Sequence, residues 1–200
     1  MKSVFIDCET TGTDPQKHGL IQIAGTLYDD RKLCETFNIR MQPFEKDTVE
    51  QEALDVNKVT VTQIETYQPA MAGYKEFTGM LGKHIDKFDR KDKAHFVGYN
   101  ADFDADMIRA WFLKAGDPYF GSWFFWPILD VSKLAGIRLM QERHLLPNFQ
   151  LMTVAEHMGL VTLAEINAQA HDAMFDVKTT MKIFKVLTKD LALFEFEAAQ

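Results

Sequence analysis

Two carboxylates separated by one residue, Asp7 and Glu9, follow a short apolar run at residues 4–6. Such a run is typical of a buried β-strand, because branched and aromatic side chains pack well on a pleated sheet. Side chains alternate between the two faces of a strand, so Asp7 and Glu9 project to one side and Cys8 to the other. Two acids in this position repel each other unless a cation lies between them. A strand end with two solvated acids is the alternative interpretation.

A second group of acids stands at alternate positions, Asp102, Asp104 and Asp106. A calcium-binding loop would need Gly at its sixth position and Glu at its twelfth. Counted from Asp102, those positions hold Met107 and Leu113, which excludes such a loop. Enrichment of acids in the first turn of a helix accounts for Asp102. Asp104 lies one turn into the same predicted helix and could point back across the sheet.

A third group, His171, Asp172 and Asp176, opens the last predicted helix. Asp176 precedes Val177 of an apolar stripe, so it lies at the edge of the buried face. An unpaired acid is costly there, and a metal ion would remove that cost. His171 falls before or within the first turn, where an ordinary surface histidine is the alternative.

The order and spacing of the three groups resemble the three motifs of the DEDD exonuclease superfamily. A histidine five residues before the last aspartate is similar to the DEDDh branch, which includes the proofreading epsilon subunit of bacterial DNA polymerase III and ribonuclease T. The resemblance extends over nearly the whole chain. The matching motifs are Asp7-x-Glu9, Asn100-x-x-Phe103-Asp104 and His171-x4-Asp176.

The resemblance implies a ribonuclease H-like fold and 3′-to-5′ removal of nucleoside monophosphates with two divalent metal ions. Oxygen ligands without cysteine favour hard ions such as Mg²⁺ or Mn²⁺. Two ions about 4 Å apart can activate a water molecule and stabilise the leaving oxygen. A histidine with a pKa near roughly 6.5 can accept a proton from that water at neutral pH. By position, the metal ligands would be Asp7, Glu9, Asp104 and Asp176, and the general base His171.

The same resemblance implies a binding site for a single-stranded 3′ end of DNA or RNA, and it allows a polymerase or repair protein as a partner. A module that has the fold but only binds nucleic acid is the competing hypothesis. The complete set of acids argues against it, because clustered acids destabilise a protein that binds no metal. The sequence leaves the nucleic acid, the pathway and the oligomeric state open. The implied substrate contacts are Thr10, Thr11, Gly12, Asn100 and Phe103.

Length and composition support one domain over residues 1–200, with 46% hydrophobic residues for its core, and the resemblance implies that this is an exonuclease domain. We expect no signal peptide, and no apolar run reaches the roughly 20 residues that would span a bilayer. Two cysteines fit a reduced cytoplasmic setting, and without a Cys-His cluster structural zinc is not expected.

The net charge of −7 indicates that bound metal ions supply much of the positive charge that is needed to bind a polyanion. We therefore expect short single-stranded ends to be preferred over blunt duplex.

Apolar periodicity predicts the elements that must position these groups. Three strands joined as an antiparallel meander are followed by alternating helices and strands, which gives an α/β fold with a mixed central sheet flanked by helices. Asn100 is expected to cap the helix that carries Asp104. The predicted strands begin near residue 4 and cover 20–28, 33–41, 94–99 and a segment ending at 129, and the predicted helices cover 50–57, 69–88, 100–115, 131–140, 149–158 and 172–191.

Two further stretches allow more than one interpretation. Residues 119–126 are crowded with aromatic side chains, which suit a base-stacking platform but more readily form a buried connection into the fifth strand. Lysines on the last helix follow helical spacing and are expected to form a solvated face rather than a nucleic-acid patch. These lysines are Lys178, Lys182, Lys185 and Lys189.

Overall fold

The computed structural model describes residues 1–30, 32–169 and 172–191. Five strands form one mixed sheet in the order β3-β2-β1-β4-β5, as the sequence predicts for an α/β fold. Strand β1 lies at the centre, antiparallel to β2 and parallel to β4. The strands are β1 (Lys2–Thr10), β2 (Leu20–Asp29), β3 (Lys32–Arg40), β4 (Ala94–Gly98) and β5 (Phe124–Asp130).

Eight α-helices in the described ranges surround this sheet. The three longest correspond to predicted helices, whereas the two short helices at residues 61–65 and 163–169 were not predicted. The helices are α1 (Gln51–Val56), α2 (Val61–Glu65), α3 (Ala70–Gly82), α4 (Ala101–Lys114), α5 (Val131–Arg138), α6 (Leu151–His157), α7 (Leu163–Gln169) and α8 (Ala173–Leu187).

Alternate residues of β1 face two separate apolar clusters. Val4 and Ile6 pack with the aromatic side chains of α3 and α4 on one face. Phe5 packs on the other face, with its ring centroid 5.4 Å from that of Phe184 in α8. Both faces of β1 are therefore covered, and the face that carries Phe5 is the one that packs against α8.

Strands β1, β4 and β5 run parallel, so their carboxyl ends meet at one edge of the sheet. Helix α4 begins directly after β4, and α5 begins directly after β5. Because β4 is the neighbour of β1, the first turn of α4 reaches the end of β1, where Asp104 Oδ1 accepts a hydrogen bond from the Cys8 N–H. This is the edge of the sheet at which all three predicted acid groups are expected.

Two helices end at least four residues earlier than the sequence predicts. The helix predicted to reach residue 88 ends at Gly82, because aspartate side chains beyond it accept hydrogen bonds from nearby backbone N–H groups and replace helical bonds. The last helix ends at Leu187 and is followed by a 3₁₀ turn over Lys189–Leu191. The Thr188 hydroxyl donates to the Phe184 carbonyl oxygen (2.7 Å) at this point.

The prediction of a buried connection at residues 119–126 is correct only in part. Phe120, Trp123 and Phe124 are at most 4% exposed and belong to the core. Tyr119 and Trp126, in contrast, are 64% and 77% exposed. Tyr119 precedes the 3₁₀ turn that leads into β5, and Trp126 lies on β5, the edge strand of the described sheet. Within the described residues, no helix is long and apolar enough to cross a lipid bilayer.

Candidate active site

Three of the four predicted metal ligands lie together at the end of β1. Asp7 and Glu9 project from the strand towards α8, and Asp176 lies in the first turn of that helix. One carboxylate oxygen from each of the three lies within 4.8 Å of the others. We refer to these three side chains as the carboxylate cluster. The period of two in the strand brings the first pair to one face, as the sequence predicts.

Helix α8 is positioned by its cap and by its apolar stripe. The Asp172 side chain accepts hydrogen bonds from the backbone N–H groups of Met174 and Phe175, both at 3.1 Å, and so begins the helix. Val177 and Phe184 are buried against the sheet. The first helical turn therefore holds Asp176 over the end of β1.

Asp104 approaches the same strand end from α4. It is only 3% exposed, and its Oδ1 accepts a hydrogen bond from the Cys8 backbone N–H at 3.0 Å. Asp104 is not one of the three side chains that approach within 4.8 Å, but its charge raises the pKa of both Asp7 and Glu9. The structure thus brings the fourth predicted ligand to the rim of the carboxylate cluster.

All four acids have pKa values above the usual range of a carboxyl group. Burial, followed by the charges of Asp104 and Asp176, raises the pKa of Asp7 well above its usual range. Burial raises the pKa of Glu9 and of Asp104 to about 8, and that of Asp176 to about 7. Each of these shifts reports an acid that resists ionisation in the absence of a compensating cation.

The cluster fits a divalent metal ion. Asp176 Oδ1 is buried and has no hydrogen-bond partner among the residues that the structure describes. A buried carboxylate oxygen without a partner is costly, and a cation would satisfy it. All the possible metal-ligand atoms in the cluster are carboxylate oxygens, which are the ligands that Mg²⁺ and Mn²⁺ prefer.

The turn after β1 is held by its own hydroxyl groups. The Thr10 hydroxyl donates to the Gly12 carbonyl oxygen (2.8 Å), and the Thr11 hydroxyl donates to the Thr48 carbonyl oxygen (2.6 Å). A Cβ atom at Gly12 would lie 2.5 Å from the His18 ring, so only glycine fits there. Among the predicted substrate contacts, Thr11 is fully buried and supports the turn from inside.

A cleft of about 410 Å³ opens between this turn, α1 and α4. Its wall on the α1 side was not predicted, because the sequence indicates a helix at residues 50–57 but not where that helix packs. The Asn57 side-chain amide donates to the Thr10 carbonyl oxygen at 2.9 Å and so joins the end of α1 to the end of β1. The lining residues are Cys8, Glu9, Thr10, Gly12, Thr13, Glu50, Glu52, Ala53, Val56, Asn57 and Phe103.

The expected role of Asn100 as a side-chain cap is wrong. Asn100 has a left-handed backbone conformation, with φ of 60° and ψ of 40°, and its side chain makes no capping hydrogen bond. An N-cap side chain needs an extended backbone, whereas the Asn100 N–H is held by a bond of 3.0 Å to Asp130 Oδ1. Asn100 also does not line the cleft.

His171, the predicted general base, lies outside the described residues.

A family model described as exonuclease matches residues 4–184 of the chain. Ribonuclease T of Marinobacter nauticus is 28% identical over 90% of this chain and 79% of its own length. A PolC-type DNA polymerase III of Thermotoga petrophila is 24% identical over 90% of this chain, which corresponds to 11% of the polymerase.

Solved structures of Escherichia coli exonuclease I share the fold. A zinc-bound complex of that enzyme with single-stranded DNA superposes with a TM-score of 0.75 at 21% identity, over 94% of this chain. The chain spans about two fifths of exonuclease I, 40% in that complex. Because the family model covers all three acid groups and both faces of the sheet, the chain belongs to the exonuclease family.

Proposed function

We propose that this exonuclease removes nucleoside monophosphates from single-stranded 3′ ends of DNA or RNA, with two Mg²⁺ or Mn²⁺ ions held by Asp7, Glu9, Asp104 and Asp176. The observation that carries the proposal is the carboxylate cluster, in which one oxygen from each of the three acids lies within 4.8 Å of the other two. The raised pKa values and the unpaired buried oxygen of Asp176 make this cluster costly for the stability of the metal-free protein, and bound metal ions would remove that cost.

Three different elements fix the four proposed ligands. Asp7 and Glu9 are held by the central strand, Asp176 by the first turn of α8, and Asp104 by its bond to the Cys8 N–H. Bound divalent ions would supply the positive charge that activates the attacking water and stabilises the leaving oxygen. The protein contributes a preformed set of oxygens and needs little rearrangement to bind the ions.

His171 is proposed as the general base that accepts the proton of the attacking water. It directly precedes Asp172, whose side chain caps α8, and it stands five residues before Asp176. A neutral imidazole is well suited to accept a proton near pH 7.

The cleft beside the carboxylate cluster is the proposed binding site for the terminal nucleotide. Phe103 offers an aromatic surface for a base, and the turn at Thr10 and Gly12 offers backbone polar groups. Thr11 and Asn100 would contribute by holding the turn and the start of α4 in place, since neither lines the cleft. Exonuclease I, which shares this fold, has been solved in complex with single-stranded DNA, and this supports a single-stranded nucleic acid as the substrate.

The remaining features are proposals of the same kind. One exonuclease domain over residues 1–200 would act in the cytoplasm, which is supported by the free thiols of Cys8 and Cys34. A polymerase or repair protein is the proposed partner, and this proposal is supported by the match to a segment of a PolC-type polymerase.

Matched oligonucleotides, labelled at the 3′ or the 5′ end, test the proposed function directly. With Mn²⁺, a 3′ label should be released at once as a mononucleotide, while a 5′ label should give a ladder that shortens with time. Single strands should be degraded faster than blunt duplexes. Internal fragments from both labels would contradict exonuclease action, and binding without hydrolysis would favour the competing function of a binding module.

A further inference from the structure

Three helices of this chain end in the same backbone motif. In each, the residue after the C-cap has a left-handed conformation, and the next N–H bonds back five residues, which is the pattern of a Schellman motif. The closing N–H···O bonds are Val59 to Leu54 (3.1 Å), Asp117 to Phe112 (2.9 Å) and Leu160 to Ala155 (2.9 Å), at the ends of α1, α4 and α6.

Glycine occupies the left-handed position in two of the motifs, Gly116 with φ of 84° and Gly159 with φ of 66°. Lys58 occupies it at the end of α1, with φ of 54°. A side chain on a left-handed residue is disfavoured, since its Cβ lies too close to the following carbonyl oxygen. Open space surrounds both glycines, and a Cβ added at either would meet no atom within 4 Å, so backbone conformation alone favours glycine there. The lysine at the equivalent position therefore keeps a strain that glycine would remove.

The strained helix end lies beside the catalytic edge of the sheet. Asn57, the residue before Lys58, is bonded to the Thr10 carbonyl oxygen and lines the cleft together with Glu9. Burial and Asp172 raise the pKa of Asp176, and the ammonium group of Lys58 opposes that rise. Strain of this kind is concentrated at functional sites, where the surrounding structure maintains it.

We propose that Lys58 binds the phosphodiester that links the terminal nucleotide to the rest of the strand. The inference rests on the proposed function, because it assumes that the terminal nucleotide enters the adjoining cleft. A substrate phosphate must approach four acids on a chain of net charge −7, so a cation at this rim would offset the repulsion. The Schellman motif fixes the backbone from which the lysine side chain extends, and the bond from Asn57 fixes that motif relative to β1.

Binding without hydrolysis tests this contact. Fluorescence anisotropy in EDTA is measured with a single-stranded oligonucleotide that has either an ordinary terminal linkage or a neutral methylphosphonate there. Lys58→Gln should weaken binding of the ordinary oligonucleotide by about 10-fold and leave binding of the methylphosphonate unchanged. Lys58→Arg should restore most of the affinity. Equal affinities of Lys58→Gln and the wild type for the ordinary oligonucleotide, or equal losses on both oligonucleotides, would overturn the inference.

A glycine variant separates the phosphate contact from folding. Lys58→Gly should raise the midpoint of thermal unfolding by about 2–4 °C, because it relieves the left-handed strain, and yet bind as weakly as Lys58→Gln. Gly116→Lys is the matched control, roughly 18 Å along α4 from Asp104. It should lower the midpoint by a similar amount and leave oligonucleotide affinity unchanged. A Lys58→Gly protein that binds like the wild type would show that the side chain has no role in binding.

The two proposals can fail separately. If the wild-type protein releases no mononucleotides with Mn²⁺ or Mg²⁺, the proposed exonuclease function fails, whatever the variants do. If the wild type is active and Lys58→Gln has the same kcat/KM, only the phosphate contact is refuted.

Discussion

Acidic side chains at the two ends of β1 have pKa values that are shifted in opposite directions. At its start, the Lys2 ammonium pairs with Asp92, and the amino-terminal ammonium lies 3.5 Å from Asp29. A backbone N–H from Asp86, together with Lys2, lowers the pKa of Asp92. At its end, burial raises the pKa of Glu9 to about 8. One end of the strand is thus built for folding, whereas the other carries a cost that a bound cation would remove.

The largest effect is expected from Asp7→Asn, which removes one charge from the carboxylate cluster. Hydrolysis should fall by more than about 1,000-fold, because the ions that activate water and stabilise the leaving oxygen lose a ligand. The metal-free variant should unfold at a higher temperature than the metal-free wild type at neutral pH, since repulsion is relieved. Rates are measured with the 3′-labelled single strand, and full activity in the variant or in excess EDTA would contradict the two-metal proposal.

His171→Ala should lower turnover by about 100- to 10,000-fold with little change in substrate affinity, because proton removal matters only in the transition state. The wild-type rate should rise with pH through a pKa near roughly 6.5, and that limb should vanish in the variant. The measurement is a pH profile of kcat and KM under saturating Mn²⁺. A variant that keeps more than about a tenth of the turnover and the same profile would make His171 an ordinary surface residue.

The pH dependence of stability should differ between the metal-free and the metal-bound protein. The raised pKa values of Glu9 and Asp104, about 8, exceed the value of roughly 4 expected in the unfolded chain. The folded protein therefore binds more protons than the unfolded chain between about pH 4 and 8, and its stability decreases as the pH rises through this range. In EDTA the unfolding midpoint should fall by several degrees between about pH 5.5 and 8.5. Excess Mg²⁺ should raise the midpoint most at the upper end, and a midpoint in EDTA that is flat or increases would refute this electrostatic account.

The smallest effect is expected at the opposite end of the strand. Asp92→Asn should shift the unfolding midpoint by no more than about 2–4 °C, because ion pairs near the surface contribute roughly 1 kcal/mol or less. It should leave hydrolysis unchanged, and its midpoint should show the same pH dependence in EDTA as the wild type. A loss of activity in Asp92→Asn comparable to that of Asp7→Asn would erase the distinction between the two ends.

Most of the architecture could be predicted from the sequence, since apolar patterns mark every strand of the sheet and its three longest helices, whereas the two short helices α2 and α7 were not predicted. The predicted superfamily, the ribonuclease H-like fold and the exonuclease class are confirmed by the family match and the shared fold. The alternation of a strand correctly places Asp7 and Glu9 on one face. The proposed roles of the site residues stay predictions, and His171 lies outside the described residues.

The parts that the sequence did not reveal depend on long-range packing or on backbone conformation. The position of α1 beside the cleft depends on a bond between Asn57 and Thr10, which are distant in sequence. Asn100 resembles an ordinary helix cap in the sequence, but in the structure its N–H binds Asp130, the last residue of β5. Lys58 gives no sequence signal, because an exposed lysine after a short helix is common and only its φ value distinguishes it.

Titration of the metal-free protein with Mn²⁺, followed by calorimetry and by the electron paramagnetic resonance signal of the free ion, tests the central claim most directly. We expect the wild type to bind two Mn²⁺ ions with release of protons at about pH 7, because the acids with raised pKa values must ionise to become ligands. Asp7→Asn should lose at least one ion, and Asp92→Asn should bind as the wild type does. Absence of Mn²⁺ binding to the wild type, or identical stoichiometry in Asp7→Asn, would contradict the claim that the end of β1 is a metal site.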